Sequence, residues 1–244
     1  MGKIKRFDSF LVIIIIFFIV LIFFVFFAPS LKIDKRFIPE AVFKGVAWFK
    51  FDDQNGLAGW QEKIFKGRVF YNLKKSDSNG YLDAYSDNAA SGIFHWLKFN
   101  LKNDPMVSWK WKVIKFPEKK GGPVAQTDNW IEQDDYAARF YVIFPRFPFF
   151  KLKALEYVWD KDLPKETVLQ NPKFKNLKII VAESGEKNKG KWVTVERNVY
   201  DDFKRVFAQD PPEAGAIAVM TDTENTASTA HAEYDEIKVG YGKK

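Results

Sequence analysis

The chain has 244 residues, of which 47% are hydrophobic and 17% aromatic, too apolar for a disordered chain and sufficient for one large domain with its own core. Its net charge of +7 comes from 38 basic and 31 acidic residues mixed along the chain, unlike the concentrated basic patch of a nucleic-acid binder, so no nucleic-acid partner is expected. It contains no cysteine, which excludes disulfides, cysteine nucleophiles, thiolate metal sites and lipid attachment at a cysteine.

Residues 1–9 form a basic N-terminus with Lys3, Lys5 and Arg6. Residues 10–28, FLVIIIIFFIVLIFFVFFA, carry no charge. As a helix they would extend about 28 Å, close to the hydrocarbon thickness of a bilayer. The preceding cations favour a cytoplasmic N-terminus, which puts the rest of the chain outside. This segment reads as a single uncleaved transmembrane anchor. A cleaved signal peptide is the alternative, with a small-residue site at Ala28-Pro29-Ser30. Residues 29–41 read as a short charged tether, and residues 42–244 as one domain.

The domain is strand-like. Asn79-Gly80, between Phe70-Tyr71 and Tyr81–Tyr85, has the composition of a hairpin turn. Val107–Val113 alternates strictly, with Trp109 and Trp111 on one face. Asp135–Phe144 alternates between two filled faces. Leu177–Ala182 and Ile217–Thr221 are short apolar runs expected of central strands, and Lys191–Asn198 and Ala232–Val239 complete the obvious set. One helix is predicted after Asn198, which caps it. Asp201 and Asp202 lie at its positive end, and Val199, Phe203 and Val206 share a face. About ten strands and one short helix indicate an all-β domain: a jelly-roll or galactose-binding-like β-sandwich, preceded by a single N-terminal transmembrane helix. Phe51-Asp-Asp and Gly59-Trp60 are similar to the opening of galactose-binding-like sandwiches.

Several segments carry residues suited to chemistry. Gly185–Lys191 has the spacing of a phosphate-binding loop. Trp192 stands where a magnesium-binding hydroxyl is required, and a strand rather than a helix follows, so a hairpin loop is expected. His231-Ala-Glu233 matches a fragment of a zinc deaminase signature whose cysteine ligands are missing, so His95 and His231 are expected to be strand residues. Asp222, Glu224 and Asn225 lie in an oxygen-rich segment following a buried strand, a set that calcium would accept; a hydrogen-bonded turn is the alternative. No other cofactor is indicated. Asp134, Asp135, Arg139, Glu183 and Arg197 flank strands and are candidates to cluster at one rim or face, as ion pairs or as a ligand site. Trp130, in a polar stretch, is the first candidate to stack on a sugar ring. Phe144–Lys153 (FPRFPFFKLK) mixes aromatics and cations; an inward-folded hydrophobic loop is expected, and a loop that contacts lipid headgroups is the alternative.

The domain resembles a bacterial family of exported proteins, domain-of-unknown-function family 3047. The resemblance rests, in order, on Val107–Val113, Asp134–Val142, Tyr157-Val-Trp159, Val181–Gly185, Arg197–Phe203, Met220–Thr226 and Tyr234–Ile237. It covers nearly everything after the tether. The family usually has Asp where Glu224 stands, which keeps a carboxylate there. It implies an exported sandwich and brings no activity.

Three functions fit these features. The leading one is a noncatalytic extracytoplasmic module, tethered to the membrane, that binds a glycan or similar ligand. The second is a structural or assembly protein contacting other envelope proteins. The third is a glycan hydrolase using Glu183 with Asp135 or Asp222.

Overall fold

The structure is a computed structural model and describes residues 45–76, 79–119, 133–146, 152–171 and 174–242. The apolar segment 10–28, the tether, Trp130 and residues 147–151 lie outside the described residues. Among the described residues no helix is long and apolar enough to cross a membrane.

Thirteen strands and one helix are described: β1 (Ala47–Phe49), β2 (Trp60–Lys66), β3 (Phe70–Ser76), β4 (Asn79–Asp87), β5 (Ala90–Phe99), β6 (Met106–Lys115), β7 (Arg139–Phe144), β8 (Lys153–Asp160), β9 (Val168–Gln170), β10 (Leu177–Ser184), β11 (Val193–Asn198), α1 (Val199–Phe207), β12 (Ala214–Asp222) and β13 (Thr229–Tyr241). They form two sheets. The first runs β11-β6-β13-β4-β3, with β1 continuing beside β13 where β4 leaves it. The second runs β2-β5-β12-β7-β8-β10-β9. All pairs are antiparallel except β8 with β10. All of these elements lie within the compact unit Pro39–Lys244.

The alternation of β6 drives the two sheets together. Its inward Trp109 and Trp111 are fully buried. Trp109 stacks on Phe140 of β7 at 4.2 Å and 11°, and Trp111 meets Trp159 of β8 at 6.1 Å. These ring pairs cross from one sheet to the other, adding geometric specificity to the apolar area they bury. The apolar runs in β8 and β10 have a different cause. Their outward residues Val158, Ile179 and Val181 form a second apolar cluster with Tyr136 and Leu163, so both faces of these strands are covered.

The helix forms as its sequence predicts. The Asn198 side chain accepts a hydrogen bond from the Asp201 amide at 3.2 Å, and Val199, Tyr200 and Phe203 are buried. Phe203 packs on Phe144 at 4.6 Å.

Four expectations need correction. The strand over 135–144 begins at Arg139, because the Asp135 carboxylate is engaged by amides of the 225–226 turn and the preceding segment folds over the outside of the second sheet. Asn79-Gly80 is the start of β4 rather than a turn; β3 and β4 pair from Phe70 opposite Tyr85 to Ser76 opposite Asn79. Gly80 is needed there because a Cβ would strike the Phe51 carbonyl and Asp52 Cα. Gly185–Lys191 is not a hairpin: β10 lies in the second sheet and β11 in the first, so the segment bridges the two. Finally, thirteen strands replace about ten. The exposed β2 and the very short β1 and β9 lack the alternation that reveals a half-buried strand.

Candidate functional site

The site begins with Arg139, the first residue of β7, whose side chain points to the outer face of the second sheet and is 3% exposed. In the sheet register, β12 lies on one side of it and β8 on the other. The guanidinium spans both. Its Nε and Nη2 donate to the two oxygens of Asp222 at 2.7 and 2.5 Å, a side-on fork. Its Nη1 donates to Glu156 Oε1 at 2.6 Å, and Nη2 also donates to the Asp134 carbonyl at 2.5 Å. The Asp134 carboxylate lies 3.5 Å from Nη1, and the Tyr136 ring lies under the guanidinium at 4.6 Å. From the other sheet, Tyr234 of β13 donates its hydroxyl to the Met220 carbonyl at 2.6 Å and accepts from the Arg139 amide at 3.2 Å. Arg139 is thus held from both sides of its sheet.

A loop shell adjoins this centre. Asp135 is fully buried and accepts from the amides of Asn225 and Thr226 at 3.1 and 2.6 Å, and from Asn225 Nδ2 at 3.0 Å. Asn225 Nδ2 also donates to the Asp134 carbonyl and to Glu224 Oε1. Three surrounding acceptors therefore orient that amide. Five carboxyl groups (Asp134, Asp135, Glu156, Asp222 and Glu224) are gathered about one guanidinium. Burial pushes Glu156 up to about 7 against the opposing pull of Arg139. Burial, with the Asp135 charge beside it, pushes Glu224 up to about 7.

Asp135, Asp222 and Glu224 each bring a carboxylate oxygen within 4.8 Å of the others, the spacing of a cation cage. The donor set does not fit calcium well. Both oxygens of Asp222 are on Arg139, those of Asp135 accept amide hydrogens, and Asn225 turns its N–H groups rather than its carbonyl toward the carboxylates. In this structure the 224–226 segment is a hydrogen-bonded turn that holds Asp135 beside Arg139.

The remaining candidates lie elsewhere. Glu183, on β10, is bound by Lys165 at 2.7 Å and by Asn188 at 3.3 Å. Arg197, next to last in β11, forks to Asp202 at 2.8 and 2.7 Å, also meeting Glu166. Tyr157 donates to Asp202 at 2.9 Å, so this second ionic cluster anchors α1. Both histidines are strand residues, His95 in β5 and His231 in β13. His231 Nε2 lies 2.7 Å from Asp83, which pairs with Lys74 at 2.9 Å, and Glu233 beside it pairs with Lys112. This is a charge ladder across the outer face of the first sheet.

Sequence reasoning did not single out Glu156 or Tyr136. A signal existed for Glu156: it is the one acid within the apolar run Ala154–Trp159. Tyr136 matters because it links the Arg139 centre to a cleft. At the end of the sandwich where β6 and β8 finish, a cleft of about 490 Å³ opens. Phe116, Tyr136 and Trp159 form its floor. Lys119 lies over the Tyr136 ring at 3.8 Å and pairs with buried Asp160 at 3.1 Å. Around the rim, Lys115 faces Glu118 at 3.6 Å, and Lys161 and Lys189 face Glu186 at 3.7 and 3.5 Å. Asp135 lines one wall. The Trp159 indole N–H donates to the Gly185 carbonyl at 3.0 Å, tying the inter-sheet loop to the floor.

Fold and site together define a two-sheet β-sandwich with a ligand-sized cleft at one end, braced by a buried arginine–carboxylate centre. The chain belongs to the family described as "Protein of unknown function (DUF3047)", whose model matches residues 58–238. No curated protein matches its sequence. Among solved structures it is similar to the family 30 carbohydrate-binding module of a Clostridium thermocellum cellulosomal cellulase, at 7% identity and a TM-score of 0.43, covering 82% of this chain and 100% of that one. It is also similar to the CBM22-1 xylan-binding domain of Xyn10C from Paenibacillus barcinonensis, at 10% identity and a TM-score of 0.38, covering 84% and 99%. A third likeness is to the xyloglucanase domain of NopAA, a type three effector from Sinorhizobium fredii, at 11% identity and a TM-score of 0.41, covering 76% and 93%. At these identities and scores, the chemistry of this chain has to be read from its own residues.

Proposed function

We propose that the chain is a noncatalytic binding module whose end cleft takes a neutral oligosaccharide, held on the extracytoplasmic face of a bacterial cytoplasmic membrane by residues 10–28. The composition of the cleft carries this reading. A sugar presents apolar ring faces and hydroxyls that both donate and accept. Above the buried aromatic residues Phe116, Tyr136 and Trp159, the cleft offers a rim of three exposed lysines (Lys115, Lys161, Lys189) against three exposed acids (Glu118, Asp162, Glu186). Lysines donate only, carboxylates accept only, and in equal number they suit a polyol better than an anion. The volume is in the range of small-ligand sites.

Binding fits better than hydrolysis. Hydrolysis of a glycoside needs two carboxyl groups facing each other across open space. Here Asp222 is forked to Arg139, Glu183 is bound by Lys165 and Asn188, and Asp135 is saturated by amides. The membrane side of the proposal rests on the uncharged 19-residue run and the cations before it; protease added to intact spheroplasts would then digest the domain, and full protection would refute that orientation.

The binding test is thermal unfolding of the compact unit Pro39–Lys244, scanned against peptidoglycan fragments and neutral and acidic cell-surface oligosaccharides. A ligand at about one hundred times its dissociation constant adds roughly 2.7 kcal/mol, enough to raise the midpoint by a few degrees. One sugar class should give a saturable rise that Lys189→Ala removes while leaving the unliganded midpoint unchanged. Flat midpoints across the panel would overturn the proposal.

A further inference from the structure

The second feature of the molecule lies away from the cleft, where the sheets end on one side. Among the described residues β2 pairs only with β5 and β3 only with β4, so each leaves one edge without a described partner strand, and the short connection after Lys66 joins them. Gly67, with φ of +62°, makes that connection tight. Large apolar side chains stand in water here: Phe65 is 62% exposed, Phe70 60% and Ile64 45%. Tyr85 is the register partner of Phe70 and extends the patch across the first sheet. Between the two edges a groove of about 320 Å³ is lined by Trp60, Val69, Phe70 and Tyr71, with Arg68 paired to Glu62 at its mouth.

The charge around the patch identifies its partner. From Trp60 to Ser76 there are five cations (Lys63, Lys66, Arg68, Lys74, Lys75) and one acid, Glu62; Glu62 pairs with Arg68, and Asp83 of the neighbouring β4 pairs with Lys74, which leaves an excess of three cations over these two acids. Lysines on an edge strand ordinarily prevent edge-to-edge pairing, and two copies of this edge would repel each other. Repulsion explains the lysines and leaves the exposed aromatics unexplained. A surface that is both anionic and apolar beneath accounts for both: aromatic side chains sit at the headgroup level and cations at the phosphates. We propose that the joined edges of β2 and β3 form a peripheral contact for an anionic lipid bilayer. This contact is distinct from the end cleft and does not require residues 10–28.

The test is co-sedimentation of the Pro39–Lys244 unit, which lacks residues 10–28, with vesicles of phosphatidylcholine containing about 30% phosphatidylglycerol and with vesicles of phosphatidylcholine alone. The expected result is partition onto the anionic vesicles, weakened by salt and reduced about tenfold or more in Phe65→Ser/Phe70→Ser. Lys75→Glu, at an exposed strand position, provides an independent reduction should the double variant melt early. Equal partition onto both vesicle types, unaltered partition of the variants, or no partition at all would overturn the proposal. So would concentration-dependent self-association that the double variant abolishes in the absence of lipid. None of these results bears on sugar binding in the cleft.

Discussion

At the scale of single residues, Arg139 governs the second sheet. It is buried, forked to Asp222, bonded to Glu156 and to the Asp134 carbonyl, and stacked on Tyr136. Replacing it with Leu leaves several carboxyl groups buried without their cation, and breaking such a group by removing one partner typically costs about 3–5 kcal/mol. Urea unfolding of Arg139→Leu should show a loss of that size; a loss under about 1 kcal/mol would mean the centre is not structural. Glu156 makes a separate prediction about pH. Its folded value of about 7 exceeds the ordinary 4.5, because burial disfavours the ionised form. Below about pH 4.5 both folded and unfolded chains hold the proton. Between about 4.5 and 7 the folded chain holds it more tightly, so stability falls as pH rises through that window. Glu156→Gln preserves the neutral form. Its melting temperature should therefore fall less than that of the parent between about pH 5 and pH 8, and parallel curves would contradict the assignment. The sequence revealed part of this centre. Asp134, Asp135, Arg139, Asp222, Glu224 and Asn225 were recognisable as polar residues bordering apolar strands. Glu183 and Arg197 look the same in sequence yet belong to other clusters, because the order of strands in the sheet decides which borders meet.

At the scale of elements, local rules succeeded where one face is buried and the other wet. β6 alternates, so it was legible; α1 carries a cap, an acidic first turn and one apolar face, so it was legible too. Asn198→Ala should cost about 1 kcal/mol in thermal or urea unfolding, the usual worth of such a cap, and an unchanged midpoint would show that tertiary packing alone holds the helix. Local rules failed at Gly80. Asn-Gly normally marks a turn, but here the glycine allows the chain near Phe51 to cross against β4, a contact between distant segments that no short window contains. Gly80→Ala should destabilise the sandwich well beyond the roughly 1 kcal/mol of an ordinary strand change, as read from the urea midpoint. The inter-sheet loop was misread for a related reason. A glycine-rich segment between two strands does not reveal whether those strands are neighbours.

At the scale of the whole molecule, the two sheets meet through a core of indole and phenyl rings, and the proposed binding surfaces lie at the ends and edges. The class of fold was legible because composition, alternation and regular punctuation agree on a sandwich. The cleft was not legible. Its floor comes from the end of β6, the end of β8 and the segment before β7, and part of its rim from the inter-sheet loop; these are distant in sequence and joined only by topology. Among the described tryptophans, Trp48 and Trp192 are exposed and the others are core or partly buried, which leaves the sugar-binding argument resting on the cleft rather than on their number. The most direct measurement is therefore a map of where the ligand binds. With the oligosaccharide giving the largest thermal shift added to isotopically labelled Pro39–Lys244, the largest NMR shifts should fall on the Trp159 indole N–H and the amides of Lys119, Tyr136 and Lys189. Shifts confined to other faces of the sandwich, with these four signals unmoved at saturation, would contradict the assignment of the cleft as the binding site.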